Sequence, residues 1–432
     1  MSASPLLNRR TVADLLPGRR SGPDPTALAS VAPIVADVRT RGEEAVREYA
    51  ERFGDVPPGA PLVYEPTALR RALAGLAAEE RQRLERVARR IRDFAAAQRA
   101  ALSIVRVNVP GGVAEHQIAA VERAGCYAPG GRYPLPSTVL MTAVTARVAG
   151  VREVWVASPR PGPLTLAAAA VAGADGLLAG GGAQAIAALA YGAGPVPPAD
   201  VVVGPGNRYV AAAKQLVAGV VAIDTLAGPS ELVVFADASA DEELVAADLL
   251  AQAEHDPHAV PLLVTLDAGF AARVAQALER QLDGLPTAAV ARAALTNGGV
   301  ILVESVDEGI AACDALAPEH VQLELRDAAA VAARLAHYGA LFVGPGGAEV
   351  LGDYGAGPNH VLPTSGTARS SGGLSVYTFL RVRTTLRIDD RDAARALIED
   401  AVWLGRAEGL EAHARAAARR LQAPARASRP TR

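Results

Sequence analysis

Hydrophobic positions recur with a helical period in the first quarter of the chain. Between Glu79 and Ala100, apolar side chains recur every three or four residues with Arg and Glu between them: Leu84, Val87, Ile91 and Phe94. A period near 3.6 places these residues on one face of an α-helix. The sequence therefore predicts that this first part of the chain is helical.

From about residue 150, short apolar runs alternate with Ala-rich segments of helical character. The predicted strands are Val154–Ala157, Gly176–Ala179, Val201–Val203, Val220–Ile223, Leu232–Phe235, Leu262–Leu266, Val300–Val303, Val321–Leu325 and Leu341–Val343. The predicted helices are Pro163–Ala172, Ala183–Tyr191, Arg208–Ala218, Asp241–Glu254, Phe270–Leu282, Glu308–Leu316 and Ala328–His337. Repeated strand–helix units imply parallel sheets with helices on their faces.

The alternation restarts after Gly228-Pro229-Ser230, which predicts two α/β domains with one nested in the other. We expect an N-terminal arm (1–20), a first domain (21–125 and 230–373), a nested second domain (126–229) and a C-terminal segment (374–432). In that last segment a strand-like stretch, Ser375–Ile388, precedes a helical tail, Arg391–Leu421, and Gln422 to Arg432 is predicted to be frayed. The predicted fold class is α/β: two incomplete Rossmann-like parallel-sheet domains, one nested in the other, plus helical N-terminal and C-terminal segments.

Composition limits the classes of protein to which the chain could belong. The 432 residues, half of them hydrophobic, suffice for two or three domains, and a net charge of -3 gives no electrostatic basis for binding nucleic acid or an anionic membrane. No unbroken run of 18 apolar residues occurs, and residues 1–20 lack the apolar segment of a secretory signal. Two distant cysteines, Cys126 and Cys313, fit a reducing compartment. We therefore expect a cytoplasmic protein.

Two residues bear on covalent chemistry. Lys214 is the only lysine, so a Schiff-base mechanism would have to use it. Cys126 is either a thiolate nucleophile for an aldehyde intermediate or a small buried residue.

Three glycine-rich turns suggest a nucleotide site. They are Tyr127-Ala128-Pro129-Gly130-Gly131, Gly180-Gly181-Gly182-Ala183-Gln184-Ala185 and Gly204-Pro205-Gly206-Asn207. Each alone is more typical of an ordinary connection between a strand and a helix than of a nucleotide site. Together they would bring several backbone N–H groups to one edge of a sheet, where phosphates bind.

Four of the seven histidines lie in short clusters with other metal-binding or acid–base residue types: His255, His320, His360 and His413. Gln252 and His255 are three residues apart at the end of a predicted helix, so they share a face. With Asp353 and His413 they would form a nitrogen and oxygen ligand set that suits zinc. Sequence spacing alone does not show that these residues converge.

Glu319-His320 places a carboxylate beside an imidazole just before a predicted strand. This is the simplest acid–base pair that a chain can encode, although exposed loops also contain such pairs.

The segments, taken in order, resemble histidinol dehydrogenase over residues 125–413. They are residues 127–131, 181–186, 203–207, 227–231, 252–255, 318–320, 359–364 and 408–413. The resemblance implies a zinc-containing homodimer that oxidises L-histidinol to L-histidine in two NAD-dependent steps, the last of histidine biosynthesis. Two positions depart from the family's pattern: Gly372, where Ser is expected, and Cys126, where aliphatic residues are common.

The resemblance also implies residue roles. The implied zinc ligands are Gln252, His255, Asp353 and His413, which would contact the substrate as well. In the family the last ligand comes from the partner subunit, which implies a swapped helical tail and shared active sites. The implied further substrate contacts are Ser230, His320, His360 and Glu408. The implied NAD contacts are Tyr127, Gln184 and Asn207, and the implied catalytic pair is Glu319 and His320.

Three alternatives stay open. The chain could be a related zinc and NAD alcohol dehydrogenase acting on another polar alcohol, an aldehyde dehydrogenase using Cys126, or a regulatory protein that binds zinc or nucleotide without catalysis. Glu408 argues against an anionic substrate, because a carboxylate attracts the histidinol ammonium and repels an anion. The pair of Glu319 and His320 argues against a protein without catalysis.

Overall fold

The computed structural model describes residues 6–17, 19, 22, 24–130 and 133–422. The predicted frayed end falls, from residue 423 onward, outside the described residues, and so does Gly131. The described chain divides into two compact units, one within Met1–Arg99 and Val121–Phe379, the other within Ala100–Ala120 and Leu380–Arg432. Among the helices of the described residues, none is long and apolar enough to cross a membrane.

Helices and strands alternate along most of the described chain. The helices are α1 (Val12–Leu15), α2 (Pro25–Arg41), α3 (Glu43–Arg52), α4 (Pro66–Gly75), α5 (Ala78–Ala100), α6 (Pro136–Ala149), α7 (Pro163–Ala172), α8 (Gly182–Tyr191), α9 (Arg208–Val217), α10 (Glu242–Ala253), α11 (Ala268–Leu282), α12 (Ala288–Leu295), α13 (Val306–Leu316), α14 (Ala328–Ala332), α15 (Glu349–Asp353), α16 (Arg395–Ala407) and α17 (Glu411–Gln422), with 3₁₀ turns at Thr367–Arg369 and Val376–Phe379. The strands are β1 (Val63–Tyr64), β2 (Val105–Val109), β3 (Gly112–Ala120), β4 (Arg123–Tyr127), β5 (Glu153–Ser158), β6 (Gly176–Ala179), β7 (Val201–Val203), β8 (Ala222–Ile223), β9 (Glu231–Ala236), β10 (Val260–Thr265), β11 (Gly299–Leu302), β12 (His320–Glu324), β13 (Ala340–Val343) and β14 (Leu380–Ile388).

The first unit contains a six-stranded sheet of order β1-β6-β5-β4-β7-β8. Its strands are parallel except β1, which pairs antiparallel with β6. The inner strands β6 and β7 are buried along their whole length, which is why their sequences are continuous apolar runs. The N-terminal helices α2 and α3 pack on α8, and α4 packs on α7.

The first unit also contains a five-stranded parallel sheet of order β11-β10-β9-β12-β13. Alternate residues of β9 enter opposite cores: Leu232 and Val234 pack with α10, α11 and α12, whereas Val233 and Phe235 pack with α13 and α14. This period of two follows from the strand geometry. The sheet is therefore covered on both faces, as the predicted architecture requires.

The second unit contains an antiparallel sheet of order β14-β3-β2 and the helix pair α16 and α17. Strands β2 and β3 form a hairpin whose turn contains Gly111 at a φ of +73°. The two helices approach closely at Gly405, where an added Cβ would meet the backbone nitrogen of Ala414 at 3.1 Å.

The α/β fold class with parallel sheets and helical end segments is confirmed. The predicted domain boundaries stay a prediction. Four predicted elements differ most from the structure: Ser375–Ile388 begins with a 3₁₀ turn before β14, the helix from Ala328 ends at Ala332, the strand expected from Val220 begins at Ala222, and the helical tail Arg391–Leu421 is divided into α16 and α17. Helix α6 and strands β2, β3 and β4 were not predicted.

Candidate active site

The candidate catalytic residues lie at the amino edge of the five-stranded sheet. His320 is the first residue of β12 and pairs with Leu232 of β9, so Glu319 lies beside Ser230 and Glu231, where β9 begins. Helix α10 runs back from the carboxyl edge, and its end brings Gln252 and His255 to the same side of the first unit. Parallel strands thus collect residues that are almost 90 positions apart in the chain.

Glu319 is buried and held by two donors. The Ser230 hydroxyl donates to Glu319 Oε2 at 2.5 Å, and the Glu231 backbone N–H donates to the same oxygen at 3.0 Å. Burial raises the pKa of Glu319 to about 8, because the two hydrogen bonds only partly offset the loss of solvent. A carboxyl that titrates near neutral pH suits general acid–base chemistry.

His320 is buried, and its geometry fixes one tautomer. Its Nδ1 lies 3.0 Å from the backbone oxygen of Glu231, and since a carbonyl oxygen only accepts, Nδ1 carries the proton of the neutral ring. Its Nε2 is buried and has no hydrogen-bond partner among the described residues. Burial lowers the pKa of His320 to about 3, so at neutral pH Nε2 offers a free lone pair.

Glu231 contacts both Glu319 and His320 through its backbone. Its backbone binds both Glu319 and His320, while its buried carboxylate accepts from Arg19 Nη2 at 2.7 Å and from the Ser365 N–H at 3.2 Å. Burial raises the pKa of Glu231, and the Arg19 guanidinium opposes that effect.

A candidate metal cluster lies in the same unit. Ligand atoms of His255, Glu349 and Asp353 all fall within 4.8 Å of one another, with His255 Nε2 3.9 Å from Asp353 Oδ2. Gln252 is fully buried, and neither its Oε1 nor its Nε2 has a partner among the described residues. Because unpaired buried amides are costly, Gln252 is suited to meet a ligand. Burial raises the pKa of Asp353 to about 6.

The structure brings two of the four predicted zinc ligands together, His255 and Asp353, and Gln252 lies three residues before His255 in the last turn of α10. His413 and Glu408 belong to the second unit, where both are exposed, His413 on α17 and Glu408 directly after α16. Their predicted roles stay predictions.

His360 is held at both ring nitrogens. Nδ1 lies 2.9 Å from the Asp353 backbone oxygen, and Nε2 lies 3.1 Å from the Thr138 hydroxyl. Burial lowers the pKa of His360 to about 4, so the ring is neutral at neutral pH.

The predicted NAD contacts follow the carboxyl ends of strands in the six-stranded sheet. Tyr127 ends β4, and its hydroxyl accepts from the Gly182 N–H at 3.2 Å. Gln184 is buried and donates to Asp55 Oδ2 at 2.8 Å, an oxygen that also accepts from the Gly181 N–H at 2.8 Å. Asp55 therefore occupies the N-terminus of α8, where a relaxed dinucleotide pattern would place phosphate. Burial raises the pKa of Asp55.

Asn207 is the N-cap of α9. Its Oδ1 accepts from the backbone N–H groups of Tyr209 and Val210 at 3.0 and 3.2 Å. Capping fixes the orientation of the side chain and leaves its amide N–H₂ to face a ligand.

Comparisons with known proteins relate the chain to one family. The histidinol dehydrogenase family model matches residues 19–421. Histidinol dehydrogenase of Thermus thermophilus is 49% identical over 394 residues, covering 91% of this chain and 94% of the relative. That of Haloarcula marismortui is 43% identical and covers 96% of this chain and all of the relative. A crystal structure of histidinol dehydrogenase from Elizabethkingia anophelis matches with a TM-score of 0.89 at 30% identity, covering 97% and 99% of the two chains.

The chain belongs to the histidinol dehydrogenase family. The structure argues against two covalent mechanisms, a thiolate nucleophile at Cys126 and a Schiff base at Lys214. Cys126 is fully buried and burial raises its pKa to about 12, so the thiol form prevails. Lys214 is also buried, and its Nζ is bound to Asp224 and to the Gly204 oxygen.

Sequence reasoning missed Glu349 in this candidate site. Its carboxylate is buried, its Oε1 lies 3.7 Å from His320 Nδ1, and its Oε2 has no partner among the described residues. Burial raises the pKa of Glu349 well above its usual value. The spacing could have revealed it, because Glu349 lies four residues before Asp353 and such residues share a helix face.

Proposed function

We propose that this chain oxidises L-histidinol to L-histidine through a bound L-histidinaldehyde, reducing two NAD, as the final step of L-histidine biosynthesis. The observation that carries the proposal is the His320 ring, which lies beside Glu319 and beside Glu349 of the candidate metal cluster and whose Nε2 is buried without a partner among the described residues. The family membership supplies the substrate.

The donor set fits zinc. Imidazole, carboxylate and amide oxygen are ligands that zinc accepts, and the unpaired amide of Gln252 lies on the same helix end as His255. We infer that Gln252, His255 and Asp353 hold one zinc ion per subunit, together with His413 of a second copy. When bound, zinc would hold the imidazole and amine nitrogens of the substrate in one pose through both oxidations.

His320 is assigned the proton transfers. Nε2 takes the proton of the substrate hydroxyl as a hydride leaves its carbon for NAD, and the Glu231 carbonyl keeps the ring oriented through Nδ1. A buried ring that is neutral at rest is ready to accept that proton. The aldehyde stays bound, which protects it from release.

Glu319 is assigned the hydration step. Its carboxylate removes a proton from water as the water oxygen bonds to the aldehyde carbon, and His320 returns its first proton to the aldehyde oxygen, which gives a neutral hydrate. His320 then takes a hydroxyl proton of the hydrate while the second hydride leaves for a second NAD, and the carboxylate of histidine is formed. Ser230, His360 and Glu408 are assigned further substrate contacts, as are the zinc ligands themselves.

NAD is assigned to the six-stranded sheet. The order of its strands reverses between β4 and β7, and in open parallel sheets ligands bind outside the carboxyl ends at such a point. Tyr127 ends β4, Asn207 comes after β7, and Gln184 lies in the first turn of α8, whose Gly182 N–H donates to the Tyr127 hydroxyl. We propose that these residues contact the dinucleotide. We further propose a cytoplasmic homodimer with shared active sites.

The test counts NADH formed per L-histidinol consumed by zinc-loaded protein, after chelation and after zinc is restored. The proposal expects two NADH per histidinol, lost on chelation and recovered with zinc. One NADH per histidinol would mean an alcohol dehydrogenase that releases its aldehyde. Turnover of another polar alcohol but not of histidinol would assign the chain to a paralogous zinc and NAD alcohol dehydrogenase.

A further inference from the structure

The only lysine of the chain is part of a buried ion pair. Lys214 Nζ hydrogen-bonds to Asp224 Oδ1, and the two side chains are 2% and 3% exposed. Such a pair is rarely retained for stability alone, because removing two charges from water offsets much of their attraction. The groups that these two side chains bind therefore indicate what the pair does.

Lys214 and Asp224 hydrogen-bond to both polar backbone groups of one residue, Gly204. Lys214 Nζ donates to the Gly204 oxygen at 2.9 Å, and the Gly204 N–H donates to Asp224 Oδ2 at 2.7 Å. The topology explains the arrangement: β7 and β8 pair in parallel, so Gly204 and Asp224, which follow them directly, lie side by side. Side chains of a helix tilt toward its N-terminus, so Lys214 of α9 reaches back to the same turn.

Gly204 lies against the predicted NAD contacts. Its φ is +123°, and an added Cβ would lie 2.0 Å from the Tyr127 backbone oxygen, so only glycine permits this approach. Three residues later the same turn ends at Asn207, whose Oδ1 is used for capping. The positions of Tyr127 and Asn207 relative to each other thus depend on where the Gly204 peptide is held.

We propose that Lys214 and Asp224 are positioning residues for dinucleotide binding: they fix the turn of residues 204–207 against Tyr127 at the point where the strand order reverses. This inference rests on the proposed NAD-dependent function. It assigns the pair to NAD affinity and not to histidinol or metal binding, because its hydrogen bonds among the described residues join α9, the residue after β8 and the turn after β7.

The test compares K214M/D224N with a double variant of a more exposed ion pair at the other edge of the same sheet. The Met and Asn side chains are neutral, so no lone buried charge is left, but Met cannot donate to Gly204. The control, R147M/D175N, removes an ion pair whose members bind the Gly173 oxygen and the Val154 N–H, near the amino ends of β6 and β5. The measurements are the NADH dissociation constant by fluorescence, the KM for each substrate, zinc content and the thermal midpoint.

K214M/D224N should weaken NADH binding about tenfold or more, equivalent to about one well-placed hydrogen bond to the ligand, with KM for histidinol within about twofold of wild type. R147M/D175N should keep its NADH affinity even if its thermal midpoint falls. Unchanged NADH binding in folded K214M/D224N, or equal losses in both variants, would overturn the inference.

D224E provides a milder variant should the double variant not fold. It keeps both charges but moves the carboxylate by one methylene, and it should weaken NADH binding without changing zinc content; unchanged NADH binding would overturn the inference. A wild-type protein that binds NADH but does not oxidise histidinol would refute only the proposed substrate. A wild-type protein that binds no dinucleotide would overturn both proposals.

Discussion

Replacing Glu319 with Gln separates the residue's effect on the fold from its effect on the reaction. Gln is nearly isosteric, and its oxygen still accepts hydrogen bonds from Ser230 and from the Glu231 N–H. The variant differs from wild type in that the buried side chain at this position no longer ionises. We expect the variant to lose turnover and, at alkaline pH, to be more stable than wild type.

The magnitude follows from the raised pKa of Glu319. In the folded protein the pKa is about 8, against an ordinary value of 4.5. Between these values the folded state keeps a proton that the unfolded state has released, so stability falls as pH rises through this window. At about 1.4 kcal/mol per pH unit, ionising Glu319 costs the fold at most about 5 kcal/mol above pH 8. Below pH 4.5 both states are protonated, and the cost vanishes.

Urea unfolding of chelated wild type and Glu319→Gln at pH 4, 7 and 9 measures this cost. The variant should match wild type at pH 4 and exceed it progressively up to pH 9. Glu44→Gln is the control, because that side chain is 77% exposed and its replacement should change stability by no more than about 0.5 kcal/mol at any of the three pH values. A constant difference between Glu319→Gln and wild type, or lower stability of the variant at pH 9, would refute the reasoning.

Three further substitutions test the site. His320→Asn should lower turnover about 10²–10⁴-fold, the usual worth of a general base, with normal zinc content; equal loss of zinc and activity would contradict the assignment. His413→Ala should lose zinc and activity together, and a variant with full zinc content would rule out ligation by His413. Cys126→Ala should keep a near-normal rate, because the buried thiol is protonated, whereas loss of activity in a folded variant would revive the nucleophile.

The parallel sheets were predictable because each buried strand is a continuous apolar run bounded by turn residues. The strands Gly176–Ala179 and Val201–Val203 have the predicted bounds. Helix α6 was missed because ten of its fourteen residues are buried, which leaves no amphipathic period to detect. Strand β4 was missed because Gly125 interrupts it, yet that glycine is needed where Leu189 packs: an added Cβ would lie 2.9 Å from the Leu189 Cβ.

The candidate site was only partly predictable for a related reason. Glu319 and His320 are neighbours in the chain, so their pairing was visible in the sequence. The role of Glu231 was not, because its contacts with both residues depend on the register between β9 and β12. Likewise, the unpaired atoms of Gln252 and Glu349 become apparent only when the surrounding helices exclude water.

The charge balance of the site connects its chemistry to its stability. Glu231, Glu319 and Glu349 are buried close to Asp353, and among the ion pairs of the described residues only Arg19 brings these four a permanent positive charge. The nearby His320 cannot compensate, because burial keeps it neutral. Carboxyls in this position either hold their protons, at a cost to the base chemistry, or ionise, at a cost to the fold. The divalent cation and the cationic substrate that we propose would relieve both costs at once, so the same burial that destabilises the charged site would give it affinity for these ligands.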